Sequence, residues 1–571
     1  MKSQLKEFKK IIFILSIKKW DLFKILALIF IATIVELLGL SIVIPFISNT
    51  FNLSDKEYLN FLNLGELTNS ELQSILLILL LTIFFAKTVI SIFIKWYIGV
   101  FSSRQNALLQ KKLITLYQNM SYEDYVAKNN SEYVRNIREI GSDCLSNLDL
   151  SLKIIAEVIV FLFIVCFLAF INYKVLLILS SIFLSILLIY QYFLKPISVR
   201  LGEIRNDAIG KIHKYIDFGI RGMKETKILE KDSFFTNNLF NYANIITETQ
   251  KKALLIHDSP KHILEFLFLL IGVIFIYYLS LTNQDLKFYF PIIGVYLLAS
   301  IRLLPSISFI ITSLNKVAGL YSSANILYED FKNFSTEKKY DAKRSNNNLV
   351  NINSIRMEDL SFSYKNSKDK IFEKINFDIK KNECIGIIGD SGSGKTTFVD
   401  ILLGLLKPSG GKIYLNDKLL PENFSLSGNI AYLPQEPLVL EESIKTNISL
   451  EKEENKIDEK KISQSVKRAN LENVILRLPN GLNTLIGKNG VRLSGGQNKR
   501  VALARTFYHG KEFIIVDEAT SSLDKNAENF IAEEIKNIKG KVTIIIISHS
   551  KNIIKYCDKI YEVKNKTISI K

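Results

Sequence analysis

Apolar positions along this chain follow two regimes. Up to about residue 320 they gather in long, nearly unbroken runs at 21–47, 75–100, 154–171, 175–194, 263–281 and 288–311. Each run approaches or exceeds the ~18–20 residues that a helix needs to cross a bilayer. One such run alone reads as a buried core helix; six in succession predict a six-span α-helical membrane domain. The first run exceeds the ~7–15-residue apolar core of a cleaved signal peptide and is therefore an anchor. Residues 333–354 are polar, with Lys343-Arg344-Ser345-Asn346-Asn347-Asn348 at their centre, and read as a linker. From Ile355 onward short β-branched runs alternate with helical segments, a soluble α/β pattern. The predicted organisation is a membrane domain at 1–332, a linker at 333–354 and an α/β domain at 355–571.

The polar stretches between the runs orient the predicted bundle. Residues 1–20 carry Lys2, Lys6, Lys9, Lys10, Lys18 and Lys19 against Glu7, whereas 48–71 carry Lys56 against Asp55, Glu57, Glu66 and Glu71. Segments 101–150 and 195–262 are long and rich in Lys and Arg. The positive-inside rule places the N-terminus and both segments in the cytoplasm. Helical composition at 104–120 and 195–214 predicts membrane helices that run on into the cytosol, each reaching a short polar elbow, at 121–131 and 218–227.

Composition then removes alternatives. The 571 residues carry 73 Lys+Arg against 56 Asp+Glu, a formal net charge of +17, yet the mean hydropathy is positive. Such a charge permits nucleic-acid binding, but its distribution assigns much of it to topology and to anionic headgroups, at about 1 kcal/mol per basic residue near the surface. The expected partner is a bilayer and not a nucleic acid. Cys144, Cys166, Cys384 and Cys557 form neither a disulfide framework nor a metal spacing, and read as four unpaired thiols in or facing a reducing compartment.

Candidate chemistry lies in the α/β half. Gly389-Asp390-Ser391-Gly392-Ser393-Gly394-Lys395-Thr396 is a complete G-x-x-x-x-G-K-[ST] phosphate-binding loop. It follows a predicted buried strand at 384–388 and opens a predicted helix at 396–406. Glycines let backbone amides close round phosphates, and the helix N-terminus adds partial positive charge. Lys395 is expected on the β/γ-phosphates of ATP and the Thr396 hydroxyl on Mg²⁺, with Thr397 beside it in the ATP-binding set. Phe513-Ile-Ile-Val-Asp517-Glu518 reads as a strand ending in two carboxylates. There Asp517 is expected to hold the metal, and Glu518 to orient and deprotonate the attacking water.

Leu493-Ser494-Gly495-Gly496-Gln497 resembles the signature motif of ABC ATPases. Further parts match in order, and their roles are implied by the resemblance. Tyr364 resembles the aromatic that stacks on adenine, and Gln435 the glutamine that contacts Mg²⁺ and water. Ser522-Leu523-Asp524 resembles the D-loop, and His549 the switch histidine on the γ-phosphate. The whole chain resembles a half-transporter of the type IV ABC exporters, with the two elbows as coupling helices. One departure is Gly487-Lys488 where such exporters usually have Gly-Glu. In that family the signature closes on the nucleotide held by a partner's loop. The resemblance therefore implies a homodimer with two composite ATP sites in a bacterial inner membrane.

Pointers to cargo are ionisable residues inside apolar runs, since each costs ~2.5–3.5 kcal/mol at a helix centre. Arg302 lies three residues before Pro305, with Glu36, Glu157 and Glu265 as acidic counterparts; Arg302 and Glu36 are the candidate substrate contacts. The alternative is that Arg302 pairs structurally with one of the glutamates. Residues 51–65, Ile171-Asn172-Tyr173-Lys174 and Arg302-Leu303-Leu304-Pro305-Ser306 are similar to bacterial flippases of lipid-linked oligosaccharides. That similarity implies a polyprenyl-pyrophosphate glycan as the amphipathic substrate; the alternative on the same chassis is a peptide, drug or lipid A exporter. A non-transporting channel or regulator is the reading from another class, and the intact catalytic residues argue against it.

Overall fold

A computed structural model describes the backbone of residues 2–50, 69–171, 185, 188–281, 286–335, 351–364, 367, 369–421, 426, 428–487, 490–518 and 525–571. The chain forms two units: Met1–Met120 with Lys128–Thr336, and Ser121–Ala127 with Glu337–Lys571.

The first unit is helical. Its main helices are α1 (Lys2–Leu15), α2 (Lys19–Thr50), α3 (Asn69–Gln118), α4 (Gly141–Ile171), α5 (Lys195–Arg221), α6 (Asp232–Leu281), α7 (Leu286–Gly319) and α8 (Tyr321–Ser335). Among the described residues, Lys19–Gly39 and Gln73–Gln118 are long and apolar enough to cross a membrane. A third span is reached if Leu303–Gly319 and Tyr321–Phe334, bent by 46°, count as one. The six-span domain predicted from the apolar runs is thus corrected: among the described residues the helical region has two membrane-length apolar helices, three at most. The run at 154–171 belongs to α4 and contains Glu157, that at 263–281 belongs to α6 and contains Glu265, and the side chains of 167–171 and of several residues within 268–281 lie outside the described residues. The run at 175–194 lies largely outside the described residues, as do the side chains of 281–302.

Packing in this unit starts from the turn between α1 and α2. Ser16 adopts a left-handed backbone, φ 50°, and Lys112 of α3 donates to Ile14 O at 2.8 Å and to Ser16 Oγ at 2.6 Å. That clasp seats Ile14 and Ile25 against Ile98, Leu109, Leu113 and Leu148, all buried. A polar network lies nearby: Tyr117 donates to Asp330 at 2.7 Å, Asn136 to the same carboxylate oxygen at 3.2 Å, and Lys128 pairs with Asp330 at 3.0 Å. A buried carboxylate costs free energy unless so surrounded. Helices α5 and α7 meet at Gly202, where an added Cβ would fall 1.9 Å from Gly319 O, so no larger residue fits that crossing.

The second unit contains two sheets. Strands β1 (Ser354–Phe362), β2 (Phe372–Lys380), β4 (Gly410–Leu415) and β5 (Lys418–Leu419) form an antiparallel sheet ordered β2-β1-β4-β5. The other sheet is ordered β10-β9-β3-β8-β7-β6, from β3 (Cys384–Gly389), β6 (Ile430–Leu433), β7 (Phe513–Asp517), β8 (Thr543–Ile547), β9 (Lys559–Lys564) and β10 (Thr567–Ile570). Its central strands pair in parallel. Strands β7 and β8 are buried at every residue, which is why they read as unbroken apolar runs. Helices α9 (Lys395–Leu402), α10 (Gly495–His509) and α11 (Lys525–Ile538) belong to this unit. The order β3-β8-β7 sets three carboxyl ends side by side, where open α/β sheets bind ligands.

Candidate active site

Three adjacent strands deliver the candidate residues. Strand β3 ends at Gly389 and turns through the glycine-rich loop into α9. Gly394 has φ 103°, and a Cβ there would lie 2.9 Å from Ile371 Cγ2 and 3.0 Å from Phe372 Cζ, so both backbone and space demand glycine. Lys395 is buried, its Nζ donating to Gly389 O at 2.7 Å and Asp390 O at 2.9 Å, which holds the ammonium over the loop. Ser393 Oγ is buried with no hydrogen-bond partner among the described residues. An orphan hydroxyl, an ammonium and a glycine turn at a helix start fit a phosphate chain. Ser391, Gly392 and Thr396 are exposed on the loop. Tyr364 OH and Thr397 Oγ1 stand 3.3 Å apart, and the Tyr364 ring packs edge-on to Phe362.

Strand β7 ends in Asp517, which is 4% exposed. Burial holds its carboxyl above the usual range, opposed by a 3.1 Å hydrogen bond from Tyr432 OH. Burial and the Asp517 charge push Asp400 of α9 up to about 7. Glu518 follows with a left-handed backbone, φ 42°. Gln435 Nε2 donates to Glu518 Oε2 at 2.8 Å, and His549 Nε2 stands 3.7 Å from Oε1. The structure therefore brings Gln435, Glu518 and His549 together from the ends of β6, β7 and β8. Lys499 Nζ donates to Glu518 O at 3.3 Å; burial lowers the pKa of that lysine.

Ser494, Gly495, Gly496 and Gln497 open α10 in a reciprocal cap. Ser494 Oγ accepts from Gln497 N at 3.2 Å, and Gln497 Oε1 accepts from Ser494 N at 2.8 Å. Ser494 and Gly495 are exposed. Such a cap fixes a helix N-terminus whose free amides suit an anion.

Residues 372–521 match the family model described as ABC transporter. This segment is an ABC transporter ATPase domain. The ATPase domain binds ATP, and by implication Mg²⁺, for which Thr396, Gln435 and Asp517 are the candidate ligands. A probable ABC transporter ATP-binding/permease protein of Haemophilus influenzae is 28% identical over 377 residues, 64% of this chain and 66% of that protein. The multidrug resistance-like ATP-binding protein MdlB of Buchnera aphidicola is 32% identical over 40% of this chain and 39% of its own. An ATP-dependent lipid A-core flippase of Polaromonas is 34% identical over 36% of this chain and 35% of its own. The chain thus spans less than two thirds of these relatives' lengths. A solved bacterial Atm1-family ABC exporter with ATP bound aligns over 96% of this chain and 95% of its own, with a TM-score of 0.78 at 18% identity. The fold is that of the type IV ABC exporters.

Other sequence expectations fare differently. Glu36 pairs with Lys87 at 2.8 Å, Glu157 accepts from Ser306 at 2.6 Å, and Glu265 lies 3.4 Å from His262. The Arg302 side chain, Lys488, Ser522-Leu523-Asp524 and residues 51–65 lie outside the described residues. The two elbows contain short helices, Tyr122–Val126 and Met223–Ile228, the first capped by Ser121, whose Oγ accepts from Asp124 N. Sequence reading missed Tyr432, Asp400 and Lys499. Asp400 did carry a signal, a lone charge between Val399 and Ile401 in an apolar helix. Tyr432 and Lys499 carried none, because only the sheet order sets them beside Asp517 and Glu518.

Proposed function

We propose that this chain hydrolyses ATP to export an amphipathic substrate of the multidrug or lipid A kind from a bacterial inner membrane, working as a homodimer. The carrying observation is the convergence of Gln435 and His549 on Glu518 beside the phosphate loop. Lys395, already aimed by two carbonyls, would offset the charge of the phosphates. Gln435 would hold the Glu518 carboxylate so that one oxygen accepts the proton of the attacking water, and His549 would contact the γ-phosphate. Bound Mg²⁺ would supply charge neutralisation at the phosphate oxygens. Ser494–Gln497, at the capped start of α10, would meet the nucleotide on the partner's loop.

The lipid-linked oligosaccharide reading gives way to its alternative. The relatives carry multidrug and lipid A-core names. The test is ATP turnover of the full chain in proteoliposomes with hydrophobic drugs, lipid A and lipid-linked glycans added in turn. Stimulation by drugs or lipid A supports the proposal; stimulation confined to the glycan overturns it.

A further inference from the structure

Two of the four cysteines meet inside the ATPase unit although neither belongs to the ATP site. Cys384 opens β3 and is fully buried; Cys557 precedes β9 and is partly exposed. Their sulfurs lie 3.8 Å apart across 173 positions of sequence. The backbones are held in place independently of the thiols. Asp558 N donates to Cys384 O at 2.6 Å, and Cys384 N donates to Asp558 Oδ2 at 2.9 Å. One residue on, Ile385 and Lys559 begin a parallel ladder. Adjacent strands lie about 4.8 Å apart, inside the ~4.4–6.8 Å Cα range that a disulfide spans. Closing the sulfurs to a bond of ~2.05 Å takes less than 2 Å of movement. Lys539, paired with Asp558 at 2.6 Å, puts a cation near both thiols. The contact with Cys557 lowers the Cys384 pKa, whereas the contact with Cys384 and burial raise that of Cys557, so Cys557 enters exchange through its exposure.

We propose that Cys384 and Cys557 are a reversible modification site that closes to a disulfide against an oxidised low-molecular-weight thiol such as glutathione disulfide. The partly exposed Cys557 thiolate attacks one sulfur of that disulfide, and one glutathione thiolate leaves. The Cys384 thiolate then attacks the Cys557 sulfur of the mixed disulfide and expels the second. Two electrons pass from the protein dithiol to the glutathione disulfide, and the two cysteine protons end on two glutathione thiols. The bond ties the start of β3, the strand that runs into the phosphate loop, to the segment entering β9. Constraining so long a loop restricts the unfolded chain, and the oxidised form melts higher. This inference concerns the ATPase unit alone and does not depend on what is transported.

The experiment treats the full-length protein in detergent with glutathione disulfide under native conditions and then counts thiols after denaturation. The proposal expects titratable thiols to fall from four to two, a cross-linked peptide joining 384 to 557, and a higher melting midpoint that dithiothreitol reverses. Cys384→Ser should trap the glutathione adduct on Cys557. Four remaining thiols, a wild-type adduct that never resolves, or a link through Cys144 or Cys166 would each overturn it.

Discussion

Asp400→Asn should stabilise the ATPase unit at pH 8 and do so less than half as much at pH 5. Asp400 is 7% exposed, and its folded pKa is raised from 3.8 to about 7 by burial first and by Asp517 second. Below the unfolded value both states hold the proton and nothing is lost. As pH rises from about 4 to 7 the unfolded chain releases the proton while the folded chain keeps it, so stability falls; above 7 the full cost is present. Three units at ~1.4 kcal/mol each give about 4 kcal/mol as an upper bound. Because the carboxyls of Asp400 and Asp517 titrate as a pair, about 2 kcal/mol is the figure to expect. Asparagine keeps the shape and removes the ionisation. For a unit of this size that corresponds to roughly 4–8 °C. The assay is the melting midpoint of the full chain in detergent with EDTA and no nucleotide, at both pH values. An equal shift at pH 5 and pH 8, or a lower midpoint at pH 8, refutes the reasoning.

Gly394→Ala combines a strained backbone, ~1–3 kcal/mol, with crowding against Ile371 and Phe372, ~1–3 kcal/mol; nucleotide titration should show loss of ATP binding together with a lower melting midpoint. Gln435→Ala removes the 2.8 Å donor to Glu518, a hydrogen bond to a charged group of about 1.5 kcal/mol, so steady-state kinetics should give roughly tenfold lower kcat with little change in KM for ATP. Lys87→Met deprives buried Glu36 of its ion partner and should cost on the order of 3 kcal/mol; adding Glu36→Gln should restore most of the lost melting midpoint.

The ATP site was legible because its chemistry is local in sequence. Loop 389–396, Asp517-Glu518 and the Ser494–Gln497 cap are short stretches whose backbone needs dictate their residues. Gln435 and His549 were named through family order, and the structure places both beside Glu518. Tyr432 and Asp400 were not called because both act across the sheet on Asp517, a relation without fixed spacing. In the membrane half, apolar runs measure length and greasiness alone; those at 154–171 and 263–281 carry Glu157 and Glu265 within them, and part of each lies outside the residues whose side chains are described. Lysine near Glu36 was also hidden, since Lys87 lies 51 positions away on α3 and only helix packing joins them.

Glu518→Gln tests the central claim most directly. Glutamine can still accept from Gln435 yet cannot take a proton, and general-base catalysis is worth about 10²–10⁴-fold. Measured on the full chain, ATP turnover should fall by that factor while nucleotide affinity stays at the wild-type value. Turnover close to wild type would contradict the account and remove Glu518 as the base.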